Sequence, residues 1–214
     1  GGNTHTIGLD HLGNVLTSGS NLTGQLGYDS FGMNNVLIFI NALPPGINIV
    51  DVDAGIQFSM ALADNGIVYT FGRNDYGQLG DGTINSTYNW QIPTDILNHT
   101  IDKIKAGYSG AMATSTSSVL TWGRNMGYNL TSPVAGDNLI PYEWSFANAP
   151  TDASMGVFNT AIIIDNEGVY NWGQNDRGNC GNGTLNNSSS PELNDAACGA
   201  SCDITSVVID NVSA

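Results

Sequence analysis

Short apolar runs, alternating with polar residues and closed by glycine-bearing turns, recur along this chain from end to end. Ile49, Val50, Val52 and Ala54 lead into Gly55, and Ile101, Ile104 and Ala106 lead into Gly107. A second run follows, Phe58–Ala63 in one copy and Asn159–Ile164 in another, and then a polar turn. The turns Asp64-Asn65-Gly66, Asp165-Asn166-Glu167-Gly168 and Asp10-His11-Leu12-Gly13 supply Asx and glycine residues that tolerate the positive φ of tight hairpins. The run after each turn carries one signature, Val-[Leu/Tyr]-[Thr/Asn]-[Ser/Phe/Trp]-Gly-x-Asn, with its glycine at 19, 72, 123 and 173. The steps between these glycines are 53, 51 and 50 residues. Strand-rich units at that period predict an all-β chain of tandem four-stranded blades, a propeller-like or open repeat array whose units cannot bury their apolar faces alone. The units run 1–54, 55–106, 107–155 and 156–214, the last with a terminal strand leading into a next unit.

Behind the signature, Asn74-Asp75-Tyr76-Gly77-Gln78-Leu79-Gly80-Asp81-Gly82-Thr83 is matched by Asn21-Leu22-Thr23-Gly24-Gln25-Leu26-Gly27 and by Asn175-Asp176-Arg177-Gly178-Asn179-Cys180-Gly181-Asn182-Gly183-Thr184. These blocks read as turns around a buried leucine; no helix, lysine or Ser/Thr follows in the arrangement a phosphate cradle needs. Asp75, Asp81, Asp176 and Asn182 read as turn chemistry too, since a calcium loop's bidentate glutamate and one-three-five spacing are missing. The aromatics Tyr69, Phe71, Trp122, Tyr170 and Trp172 stand beside glycines in strand context, as rings packed between neighbouring sheets do.

The blocks resemble the repeat of the regulator of chromosome condensation family, whose blades carry Gly-x-Asn-x-x-Gly-Gln-Leu-Gly, and the resemblance covers essentially the whole chain. The third copy is degenerate, reading Gly123-Arg124-Asn125-Met126-Gly127-Tyr128-Asn129-Leu130, and the first has Ser18 where the others have Phe71, Trp122 and Trp172. The resemblance implies a closed ring of seven blades, whereas four signatures are present. An unclosed array leaves sheet edges open to pairing. The segment Ile209-Asp210-Asn211-Val212-Ser213-Ala214 reads like the lead-in to Gly55, and Gly1-Gly2-Asn3-Thr4-His5 opens as a unit does after its lead-in. Three explanations stand: a piece of a longer array, the ordered part of a larger protein, or a subunit that joins identical copies head to tail. In the last, Gly1, Thr4, Ile7, Ile209, Val212 and Ala214 form the assembly edge.

Composition changes the picture in two ways. Only 11% of residues are charged, and the net charge is −14 with five lysines and arginines, which excludes nucleic acid as a partner. The guanine-nucleotide exchange role of the family's namesake is not carried over, for want of matching surface residues. Eight Asn-x-Ser/Thr sequons, at Asn21, Asn85, Asn98, Asn129, Asn182, Asn186, Asn187 and Asn211, mark N-linked glycans as an expected addition. Asn85, Asn98, Asn186 and Asn187 lie in polar stretches outside the signature and are the first candidates; Asn21 holds the signature position itself. Cys180, Cys198 and Cys202 allow one disulfide in an oxidising compartment, and no metal site is assigned to them.

No apolar run is long enough to span a bilayer. No leader segment is present, so an extracellular or cell-surface assignment assumes its earlier removal or a longer parent chain. His5, His11 and His99 have no recognisable catalytic partner and read as loop or edge residues. The sequence thus predicts a non-enzymatic, cofactor-free, N-glycosylated extracellular structural protein that self-associates head to tail. The alternative is a protein- or carbohydrate-binding module with Tyr28, Phe31, Tyr88 and Trp90 as contacts.

Overall fold

A computed structural model describes residues 1–30, 32–40, 46–132, 136–164 and 167–194. Among the described residues fifteen strands form four antiparallel sheets. Sheet 1 holds β1 (His5–Leu9), β2 (Val15–Ser20) and β3 (Met33–Ile40) in that order. Sheet 2 holds β4 (Ile49–Ala54), β5 (Phe58–Ala63), β6 (Val68–Gly72) and β7 (Thr87–Gln91). Sheet 3 holds β8 (Ile101–Ala106), β9 (Gly110–Ser115), β10 (Ser118–Gly123) and β11 (Asn138–Ser145), and sheet 4 holds β12 (Pro150–Met155), β13 (Asn159–Ile164), β14 (Gly168–Gly173) and β15 (Ser188–Leu193). The expected all-β architecture of tandem blades is therefore present. Among the described residues no helix is long and apolar enough to cross a membrane.

Each lead-in run hydrogen-bonds forward, Ile49 to Ala54 against β5 and Ile101 to Ala106 against β9. Sheets therefore open one strand earlier than the units drawn at 55, 107 and 156. Strand β1 packs on β4 as β5 packs on β8 and β9 on β12, so β1 holds the second place of its sheet. Sheet 1 is thus one strand short among the described residues, and none of its strands pairs with sheet 4.

The signature residues now have causes. The register of every signature strand against its outer neighbour shifts just before the glycine, between Thr17 and Gly19, Thr70 and Gly72, Thr121 and Gly123, and Asn171 and Gly173. A bulge there sharpens the bend into the turn. Gly72 takes φ 114°, and a Cβ on it would lie 2.6 Å from the Gln57 carbonyl oxygen, so only glycine fits. The asparagine two residues on fixes the turn: Oδ1 of Asn21, Asn74, Asn125 and Asn175 accepts the amide of Leu26, Leu79, Leu130 and Cys180 at 2.8, 2.9, 3.2 and 2.8 Å. That bond presses the leucine or cysteine inward, where each is buried.

The apolar cores lie between sheets. Ile7, Val15, Ile49, Ala54, Ala61 and Phe71 join sheets 1 and 2; Phe58, Met60, Ile104 and Trp122 join sheets 2 and 3; Met112, Leu130, Met155 and Trp172 join sheets 3 and 4. Each core is topped by a turn carbonyl that needs a donor once buried. Trp122 Nε1 donates to the Gln78 oxygen at 2.9 Å. Trp172 Nε1 and Thr160 Oγ1 donate to the Asn129 oxygen at 3.0 and 2.7 Å. At the first joint Ser59 Oγ donates to the Gln25 oxygen at 2.9 Å.

Candidate functional site

The first joint differs from the others at its rim. Phe71 stands where the later sheets have tryptophan and has no N–H to give. Trp90 on β7 covers it instead, stacked at 4.6 Å between centroids, edge-on to Tyr69 at 5.8 Å, with Nε1 donating to the Gly27 oxygen at 3.3 Å. A groove of about 560 Å³ opens beside it, lined by Tyr28, Asp29, Phe39, Tyr88 and Trp90 among others. Asn34 Nδ2 donates to Tyr28 Oη at 3.0 Å and holds that ring in place.

Along the groove runs β3, which among the described residues pairs only with β2. Successive side chains of a strand point to opposite faces. Val36, Leu37 and Phe39 are nevertheless all exposed, by 59%, 59% and 56%, and Met33 by 89%. Both faces of this end strand therefore meet solvent with apolar side chains, and no described strand pairs with its outer edge. A long apolar edge is what monomeric β proteins ordinarily avoid. Three of the four aromatics expected as binding contacts, Tyr28, Tyr88 and Trp90, converge here; the fourth, Phe31, lies outside the described residues.

The other expected residues scatter. Asn85, Asn98, Asn186 and Asn187 are exposed, Asn98 at the end of a 3-10 helix and the other three in irregular segments. Asn21 is 1% exposed, with Nδ2 donating to the Tyr28 and Ser30 carbonyls, and Asn129 is 2% exposed; burial makes both structural and closes them to an attached sugar in the folded chain. Asn182 Oδ1 accepts the Thr184 amide and hydroxyl, and its Nδ2 donates to Glu192, which leaves its amide engaged. Cys180 fills the leucine slot of its turn at 2% exposure, and burial pushes its thiol pKa up. Cys198, Cys202, Asn211, Ile209, Val212 and Ala214 lie outside the described residues. Of the assembly-edge residues at the other end, Gly1 and Thr4 are exposed, whereas Ile7 is buried against β4 because its side chain faces the first joint.

His5 refines the sequence reading. It lies on β1, the end strand of sheet 1 among the described residues, but its side chain is buried, and its Nε2 lies 2.8 Å from Ser59 Oγ. Ser59 gives its single hydrogen to the Gln25 oxygen, so Nε2 carries the imidazole hydrogen and donates it to Ser59. The bare Nδ1 has no partner. Burial lowers the His5 pKa to about 4. Both residues are enclosed and the serine hydrogen is committed to the backbone, so this pair ties two blades rather than activating a nucleophile. No sequence signal placed residues 54 positions apart in contact. His99 lies 3.8 Å from Glu143 in a partly exposed pair. Among the described residues no three His, Cys, Asp or Glu side chains group as a metal site would require.

Sheets joined face to face through turn carbonyls, with second strands packed on the next sheet's first, define a blade array of the β-propeller class. Residues 49–78 and 65–114 match the Regulator of chromosome condensation (RCC1) repeat. An RCC1 repeat-containing protein of Dictyostelium discoideum is 28% identical over 184 residues, 78% of this chain and 37% of its own length. Human WBSCR16 superposes with a TM-score of 0.77 at 19% identity, over 90% of this chain and 51% of that one. Yeast RCC1 (Prp20), solved with Kap60, gives 0.74 at 22% identity, over 89% and 47%. Residues 49–114 thus carry RCC1-type repeats, and the chain has the fold of RCC1-type β-propeller repeat proteins. It spans about half the length of those two solved neighbours.

Proposed function

We propose that this chain is a non-enzymatic protein-binding module that takes an extended segment of a partner along the free edge of β3, with an apolar side chain in the groove at the first joint. The observation that carries the reading is an apolar end strand, exposed on both faces, beside three convergent aromatics. Strand addition supplies main-chain bonds and the groove supplies selectivity. Tyrosine and tryptophan give large contact area at small entropic cost. The solved complex of the yeast neighbour with Kap60 supports protein binding as a use of this fold. Asp29 in the groove and the net charge of −14 favour a segment carrying lysine or arginine beside its apolar residues.

The test is selection of displayed random peptides on the intact chain, followed by affinity measurement on Val36→Lys and Phe39→Asp. Selected peptides should alternate apolar and basic residues and lose about tenfold or more in affinity on either variant. Peptides that bind both variants as well as the parent would end this reading.

A second reading is an extracellular, N-glycosylated structural protein whose copies join head to tail. It is favoured by the first place of sheet 1 beside β1, unfilled among the described residues, where the lead-in sequence 209–214 of another copy fits the repeat pattern, and by the exposure of Asn85, Asn98, Asn186 and Asn187. Sizing across a concentration series decides it: growth in mass with concentration supports assembly, and a constant monomer mass removes it. Intact mass before and after glycan removal, on material from the native source, decides the sugar.

A further inference from the structure

This chain has five basic side chains, and their placement is uneven. Lys103 and Lys105 lie on β8 close to Asp51 of β4, and Lys103 donates to the Thr151 carbonyl; burial nonetheless pushes the Asp51 pKa up. Two of the remaining three, Arg73 and Arg124, hold the same variable position of the signature, in sheets 2 and 3. Both address one ring. The Arg73 guanidinium lies 5.5 Å and the Arg124 guanidinium 4.2 Å from the centroid of Tyr76.

The two arginines are held differently. Arg73 is fixed by Asp75 at 2.8 Å and by Gln57 Oε1 at 2.8 Å. Arg124 makes no ion pair and no side-chain hydrogen bond among the described residues. Its backbone amide is fixed by the Ser109 oxygen at 2.9 Å, and its planar fork of donors rests on the tyrosine. Asp75 meets the charge of Arg73, whereas no carboxylate among the described residues pairs with that of Arg124, which leaves it open to an added anion.

The surroundings have the composition of a contact surface. Tyr108 precedes Ser109, and Phe158 lies against Gly127 on the Arg124 turn; both rings are 37% exposed. On the same turn Tyr128 occupies the place held by Gly24, Gly77 and Gly178 in the other copies, at φ 67° and 46% exposed. A side chain in that conformation costs about 1–2 kcal/mol, so the turn gives up stability to display an exposed ring. Exposed tyrosine, phenylalanine and arginine together are the residue types that dominate protein interfaces.

We propose that the loop end of sheets 2 to 4 is a second docking surface, anchored by one carboxylate of a partner protein on Arg124 in the Arg73–Tyr76–Arg124 cluster. Arginine's fork matches a carboxylate in bidentate geometry, and the tyrosine beneath orients it. The net charge of −14 repels an acidic run, so the partner presents an isolated Asp or Glu among apolar residues that meet Tyr108 and Phe158. The site rests on the reading of the chain as a binding module but shares no residue with the groove.

The test follows the arginine Nε–H resonances of the full chain while adding the blocked peptide acetyl-Leu-Glu-Leu-amide, its Gln counterpart, or inorganic phosphate. The Glu peptide should shift Arg124 to saturation, about tenfold tighter than the Gln peptide, and leave Arg177, an exposed arginine on the fourth turn, unmoved. Arg124→Gln, which keeps the fold by its thermal melt, should abolish saturable binding, and Tyr76→Leu should weaken it severalfold. Val36→Lys, which weakens capture at the groove, should leave the Arg124 titration by the Glu peptide as in the parent, so loss of the groove reading and loss of this one are separable. Equal shifts of Arg124 and Arg177, no shift, equal binding of both peptides, or tighter binding of phosphate overturns the proposal.

Discussion

At the joint between sheets 3 and 4 one tryptophan and one threonine meet a single turn carbonyl, whereas at the joint between sheets 1 and 2 the corresponding carbonyl takes a serine with a histidine behind it, and a tryptophan from the rim donates to a different carbonyl, that of Gly27. Both joints bury a carbonyl that must be bonded. The later joint does so with a ring that fills the core and donates at once, and it gains by packing and polarity together. The first joint has a phenylalanine at that place, so filling and donation are divided between side chains from different strands. The divided solution leaves an unpartnered nitrogen on His5 and a groove beside Trp90. Repeats with one turn chemistry thus become unequal where a single donor is missing, and the inequality puts both a titratable group and a binding groove at the first joint.

The comparison breaks most strongly at the rings. Trp172→Ala removes a wholly buried ring and one of two donors to the Asn129 oxygen, and urea unfolding should register a loss of about 3–5 kcal/mol. Trp90→Ala, at the half-buried rim of the first joint, should cost about half that. Equal losses would mean that the joints carry load alike.

Acid should distinguish the two joints next. The folded His5 pKa, about 4, lies below its unfolded value, so its contribution is fully present above about pH 6.5 and is lost as pH falls from there through 4. His5→Phe, which copies Phe58 at the same register position, should flatten the stability profile in that window by on the order of 3 kcal/mol relative to the parent. A variant with an unchanged acid profile would remove His5 from the account.

Smaller effects sharpen the division of labour. Ser59→Ala takes the hydroxyl donor from the Gln25 oxygen and the acceptor from His5, and should cost about 1–3 kcal/mol. Thr160→Ala leaves Trp172 on its carbonyl and should cost about 1 kcal/mol or less by the same denaturation. A reversal of that order would show that the tryptophan donor does not stand in for the hydroxyl. Smallest of all, Val36→Lys on the solvent-facing end strand should leave stability within about 0.5 kcal/mol while weakening peptide capture.

Local features of the fold were legible. The runs Phe58–Ala63 and Asn159–Ile164 form strands with those bounds, buried along nearly their whole length, because short apolar runs closed by hairpin turns are local signals. Buried Phe71, Trp122 and Trp172 followed from aromatics beside glycine. The signature asparagine was visible as a repeated position, but its bond to an amide five residues on needed coordinates to be seen. Much of the candidate site was less legible. Tyr28, Tyr88 and Trp90 stood out as exposed aromatics, yet β3 and Phe39 drew no attention, since an apolar alternating run reads as core until its neighbours are known. The burial of His5 was not legible because its partner Ser59 stands 54 positions away, and Arg124 gave no signal until Tyr76 was placed beneath it.

What the sequence determined by itself is the unit: a period near fifty residues, hairpins from Asx–Gly turns, and a bulge with an asparagine-fixed turn at each signature, all governed by residues a few positions apart. What only the tertiary structure decided is how units meet. Which carbonyl finds which donor, which strand is left at an edge, and which charges share a ring depend on contacts between residues fifty or more positions apart, such as His5 with Ser59. No local propensity encodes those contacts, because the free energy that selects them appears only when two faces close and exclude water.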